Sequence, residues 1–196
     1  MDFPLANPPG LYDDIYSPYT AMPDDLRYPI GKVNKPADIT DAHRRQWIDE
    51  IAAAPARLRA AVAGLSDEQL DTPYRPDGWT VRQVIHHVPD SHLNAYVRFR
   101  WALTEDDPTI KAYNEKTWAE LPDARSAPID LSLALLDAVH ARWLLLLRTL
   151  SAADCARTIQ HPEYGEMTVD DLLAMYAWHG RHHAAHITSL RARKGW

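Results

Sequence analysis

The chain has 196 residues, a formal charge of −6 and a pI of about 5.9. That length suits one domain, able to bury about 70% of the surface its unfolded chain exposes. The acidic balance excludes the basic footprint of a nucleic-acid binder. A single cysteine, Cys155, excludes an intramolecular disulfide and any all-thiolate metal site. Its neighbours Asp154 and Ala156 supply no activating cation, so it reads as structural. No basic n-region precedes an apolar run, and no stretch approaches about 18 apolar residues. A soluble, cytoplasmic protein without a membrane partner is the expectation.

Residues 1–39 are rich in proline and tyrosine. Closely spaced prolines forbid a continuous helix, while the aromatic content argues against a wholly unfolded segment. An extended arm lying on the body is expected, with 1–24 an N-terminal extension and 25–196 a single domain.

Four long helical patterns follow. The first runs from about Asp41 to Gly64, capped by Thr40, with a kink expected at Pro55. Ser66-Asp67-Glu68-Gln69 has the chemistry of a capping box and opens a short helical turn. The second long helix begins at Thr80, after the turn-forming TPYRPDGW, and ends near Thr104, with Pro89 inside it. A minor helix is predicted over Tyr113 to Leu121. The third runs from a cap at Asp130 to about Leu150, and its apolar face carries Leu135, Leu136, Val139, Trp143, Leu146, Leu147 and Leu150. Ile159 to Met167 reads as a loop or small hairpin. The fourth helix follows Thr168 and ends near Arg193. With no Gly-rich phosphate loop and no parallel-sheet pattern, the fold class is all-α, a four-helix bundle.

The fourth helix contains WHGRHHAAH, four of the ten histidines within eight residues. At about 100° per residue, Val169, Leu172, Tyr176, Ile187 and Leu190 define an apolar stripe. His183 lies in the middle of that stripe and His179 beside it. His186 is marginal, and His182 belongs to the outer face. Imidazoles at i and i+4 can both approach one ion at about 2.0–2.1 Å. Gly180 costs about 1 kcal/mol of helix propensity, so something is expected to approach the helix closely there.

A second cluster, HHVPDSH, lies midway along the second helix. Ligands in a bundle core come from different helices. The stripe Val84, Val88, Ala95 and Phe99 puts His87 at its shoulder and His86 nearly opposite. His87 is therefore chosen as the third ligand, with Asp90 or Ser91 available to orient an imidazole. His92 reads as an ordinary polar contact. The candidate metal ligands are His87, His179 and His183, and Asp90 and His186 are the candidates for general base or orienting group. All-nitrogen ligation suits zinc, nickel, copper or iron(II), and three ligands leave an open position, as catalytic sites do.

The stretches GWTVRQVIHHVPDSHLNAYVRFRWALTE and YAWHGRHHAAHITSLRARKGW, with DLRYPIGK and KAYNEKTWAELPDA, resemble the YfiT-like branch of the DinB superfamily. The resemblance spans about residues 25–196. It implies a four-helix bundle holding one divalent metal per subunit, zinc or nickel foremost, on His87, His179 and His183. It also implies a homodimer, a metal-dependent hydrolase, and, among close relatives, transfer of a low-molecular-weight thiol such as bacillithiol.

Three functions follow as expectations. In the first, a metal-dependent hydrolase activates water against a small-molecule substrate. In the second, an S-transferase joins a low-molecular-weight thiol to an electrophile. Trp79, Trp101, Tyr176 and Trp178 would then line the pocket, and Arg98 or Arg100 would meet the thiol's carboxylates. In the third, the protein is a non-catalytic metal-binding stress protein. No H-E-x-x-H motif is present, since Gly180 and Arg181 follow His179.

Overall fold

The structure, a computed structural model, describes residues 26–196. The expected extension therefore lies outside the described residues. The elements run α1 Asp41–Val62, α2 Asp67–Leu70, α3 Val81–Thr104, α4 Glu115–Ala119, α5 Pro122–Ser126, α6 Ile129–Leu147, α7 Ala152–Cys155, β1 Thr158–His161, β2 Gly165–Thr168 and α8 Val169–Lys194.

Local chemistry sets most of these boundaries. Thr40, Ser66, Thr80 and Thr168 each accept a bond from the N3 backbone N–H, and the N3 side chain returns one. Chain turns after α1 and α8 use Gly64 and Gly195, both at a φ above 70°. Helix α6 departs from expectation. Asp130 lies inside its first turn, and the helix is preceded by Pro128, which makes no side-chain cap bond. The predicted minor helix is shorter than expected, and α5 follows it unforeseen, with Pro122 at its first position where a missing N–H costs nothing. The small hairpin is present as β1 and β2, antiparallel, pairing Ile159 with Met167.

The four long helices close into a ring. Helix α1 packs on α8 and α6, and α3 packs on the same two. Both prolines lie within continuous helices, Pro55 in α1 and Pro89 in α3. Helix α8 comes close to α1 at Gly180. A Cβ built there would meet the Cβ of Ala54 in α1 at 2.8 Å, so the neighbour expected from this glycine is a helix. Neither backbone can yield cheaply. Gly180→Ala is therefore expected to cost a net of about 1–2 kcal/mol, overpacking outweighing the propensity gain. Urea denaturation should show a lower midpoint at unchanged slope.

The interior has two apolar clusters. One gathers Ile51, Phe99, Trp143, Leu147, Leu172 and Tyr176, and the other Leu58, Val84, Val88, Leu136, Ile187 and Leu190. Along each long helix the two sets are consecutive rather than mixed. Between them lie His92 on α3, His140 on α6 and His179, His182 and His183 on α8, while His87 sits at the edge of the second set, next to Val88. Cys155 is buried, and burial pushes its thiol up to about 11, which suits the structural role expected of it. Among the described residues no helix is long and apolar enough to cross a membrane.

Candidate metal centre

Between the two apolar clusters lies a layer of imidazoles drawn from three helices. Helix α3 contributes His87 and His92, α6 contributes His140, and α8 contributes His179 and His183. Helix α1 joins through a backbone carbonyl, that of Ile51.

The structure brings His87, His179 and His183 together. One nitrogen from each lies within 4.8 Å of the other two. The Nε2 atoms of His87 and His179 are 3.4 Å apart. Two nitrogens bonded to one ion at about 2.0–2.1 Å with a tetrahedral angle would stand about 3.3 Å apart, so this spacing fits shared ligation. His87 and His183 are buried and His179 is partly exposed. Burial pushes His87 down to about 3 and holds His179 and His183 well below the ordinary imidazole value. All three are thus neutral at pH 7 and offer lone pairs. Among the described residues no carboxylate joins the group.

His86 is occupied elsewhere. Its Nε2 donates to the carbonyl of Ala127, 3.1 Å away, and its Nδ1 accepts from the Ser132 hydroxyl at 2.7 Å. Both nitrogens are committed toward α5 and α6, so of the adjacent pair only His87 faces the cluster.

The remaining candidates are placed as follows. Asp90 makes no hydrogen bond to any of the three imidazoles, and burial with the nearby Asp123 charge raises its carboxyl to about 6. Ser91 is the closer group, its hydroxyl 3.4 Å from His179 Nε2. His186 donates from Nε2 to the Arg27 carbonyl at 2.9 Å and stacks on Tyr74 at 4.0 Å.

One reading of the helical phase is corrected. His182 does not face solvent: it is 6% exposed and stacks on Trp178, with ring centroids 4.1 Å apart. The cause is the segment before α1, which crosses this face of α8. Trp178 Nε1 donates to the Gly31 carbonyl, and Tyr28 lies over His182. His92, read from the sequence as an ordinary polar contact, lies inside the imidazole layer. It is fully buried, 3.0 Å from His179 Nδ1 and 2.7 Å from His140 Nε2. Sequence reasoning missed His140, although a histidine four residues after Leu136 and seven before Leu147 falls at a core position of α6.

His182, His183 and His186 form a second close grouping that shares His183 with the first. His182 stacks on Trp178, and His186 stacks on Tyr74 and bonds the Arg27 carbonyl through Nε2, while the Nδ1 atoms of His182, His183 and His186 are buried without partners. Of the expected pocket aromatics, Trp79 lies against His87 at 4.7 Å and Tyr176 near His179 at 5.8 Å. Trp178 packs under the crossing segment, and Trp101 packs against the apolar cluster around Phe99. Arg100 is exposed and bonds Tyr96, whereas Arg98 is buried and reaches the Tyr176 hydroxyl at 3.3 Å.

These features define a class: a four-helix bundle with a candidate three-histidine metal centre in its core. The family model described as the DinB superfamily matches residues 50–187, and the chain belongs to that superfamily. A relative from Bacillus mycoides (strain KBAB4) is 54% identical over 172 residues, 88% of this chain and 99% of its own length. One from Bacillus cereus (strain B4264) is 54% identical over 173 residues, with the same coverage. Both carry the name "Putative metal-dependent hydrolase". Among solved structures, YfiT from Bacillus subtilis is similar with a TM-score of 0.85 and 47% identity, covering 87% of this chain and 98% of that one. It is described as "a probable metal-dependent hydrolase with an unusual four-helix bundle topology".

Proposed function

We propose that the chain is a metal-dependent hydrolase acting on a small molecule, with His87, His179 and His183 holding one divalent cation, zinc or nickel. The observation that carries this is the meeting of three neutral imidazoles, two of their nitrogens at the spacing of shared ligation. A cation bound there supplies Lewis-acid polarisation of a carbonyl and activation of water at neutral pH. The residues' own part is to keep three lone pairs unprotonated and aimed at one point. Ser91, beside His179, offers a hydroxyl to a bound substrate or water, and Trp79 closes the His87 side against solvent.

A specific observation also favours S-transfer from a low-molecular-weight thiol. Arg98 is 7% exposed and makes no ion pair among the described residues. Its Nε is buried without a partner. A buried guanidinium without a carboxylate favours a substrate that brings an anion, as a carboxylate-bearing thiol does.

One experiment separates the readings. The metal-loaded protein is given an ester and amide panel, and separately monochlorobimane with a panel of thiols. Turnover of an ester or amide without added thiol supports hydrolysis. Bimane conjugation dependent on one anionic thiol, and lost in Arg98→Met, supports transfer. Inactivity on both panels with intact metal binding would favour the non-catalytic alternative.

A further inference from the structure

The hydrogen bonds behind His179 form a single directed chain. His140 Nδ1 lies 2.9 Å from the Ile51 carbonyl, His140 Nε2 lies 2.7 Å from His92 Nδ1, and His92 Nε2 lies 3.0 Å from His179 Nδ1. A carbonyl can only accept, so His140 carries its proton on Nδ1 and keeps a lone pair on Nε2. That lone pair must accept from His92 Nδ1–H, which leaves His92 Nε2 as an acceptor. His92 in turn accepts from His179 Nδ1–H, and His179 is left with its lone pair on Nε2. This is the nitrogen that stands 3.4 Å from His87 Nε2.

The start of the chain lies in the backbone of α1. In a helix the carbonyl of residue 51 would accept from the N–H of residue 55. Residue 55 is proline and has no N–H. Ile51 is fully buried, so its carbonyl would be an unsatisfied acceptor without another donor. His140, 1% exposed, is that donor.

We propose that His140 and His92 are positioning residues that fix His179 in the Nδ1–H tautomer, so that Nε2 is its metal-binding atom, with Pro55 and Ile51 setting the sense of the chain. This rests on the reading of His179 as a ligand, and it adds two residues and a direction to that reading.

The test has two arms. In the first, ¹⁵N NMR of histidine-labelled, metal-free wild type at pH 7.5 reads the tautomers. All three of His140, His92 and His179 should be Nδ1–H, and an Nε2–H form at any of them overturns the proposal. In the second, zinc affinity is measured by competition with a chromophoric chelator. His140→Leu removes both bonds and should weaken affinity about 10-fold. His140→Gln can donate to Ile51 through its amide nitrogen and accept from His92 through its amide oxygen, and should restore affinity to within about threefold of wild type. A merely structural role would lower Tm in both variants while leaving the affinity of the folded protein unchanged, and that result overturns the proposal. Should His140→Leu fail to fold, the wild-type tautomers and the Gln variant still decide. If His183→Ala also leaves zinc binding intact, the ligand reading has failed; if only His183→Ala weakens it, the positioning chain alone has failed.

Discussion

Replacing His183 with alanine is expected to abolish stoichiometric binding of zinc or nickel, while His86→Ala leaves it nearly unchanged. Both residues are histidines on long helices, so the contrast tests geometry rather than composition. Structural zinc sites are worth about 10–16 kcal/mol over four ligands, or about 2.5–4 kcal/mol each, which is about 10²- to 10³-fold in affinity per ligand lost. His86 has both nitrogens committed to Ser132 and Ala127, so its loss costs packing and two hydrogen bonds without touching the cluster. His182→Ala should also retain binding, although removing its stack on Trp178 lowers stability. Calorimetric titration with either metal reads the stoichiometry. Equal loss in the His183 and His86 variants would sink the assignment.

The metal-free protein is expected to unfold on mild acidification, with a midpoint near pH 5. Nine histidines are held below the ordinary value, chiefly by burial. The unfolded chain takes up protons on these rings as the pH falls through about 6.5. The folded state resists protonation until the pH is far lower, about 4 for His140 and His186 and about 3 for His87. Stability is therefore fully present above about pH 6.5 and is lost between that value and about pH 4. Each such histidine contributes up to about 1.4 kcal/mol per pH unit. Four of them acting over about 1.5 pH units remove about 8 kcal/mol, comparable to the whole stability of a typical domain. Circular dichroism at 222 nm across pH 7.5 to 4 checks this, and retention of native ellipticity at pH 4 would contradict it. Added zinc should raise Tm at pH 7.5 by mass action, and this gain should shrink as protons compete for the same nitrogens.

The four long helices were legible in the sequence because their caps are local and their stripes repeat at helical period. Thr40, Thr80 and Thr168 announce the starts of α1, α3 and α8 within four residues of chain. Asp130 misled for the same local reason: it is a good cap residue, but the cap is Pro128, two residues earlier. The choice of His179 and His183 needed only the phase of one helix. His182 required knowledge of what covers α8, and a helical wheel knows nothing of the segment from Arg27 to Gly31 that crosses it. His92 and His140 were missed because their role lies between helices. Each is unremarkable on its own element, and only the packing of α3 against α6 and α8 brings the rings into line. Gly180 was legible as a point of close approach, but which group approaches is a tertiary fact.

The imidazole layer also bears on which arrangement of the helices is chosen. Apolar stripes alone tolerate sliding, since a leucine one turn along fits a leucine-lined groove almost as well. A one-turn shift of α8 would move each of its rings about 5.4 Å, carrying His179 away from His92 and leaving several buried nitrogens without partners. Such a mismatch costs about 1–3 kcal/mol for each unsatisfied group. The polar layer thus acts as an index mark for the bundle. It adds little to the cohesion of the fold, which comes from the apolar clusters on either side, but it penalises every register except one.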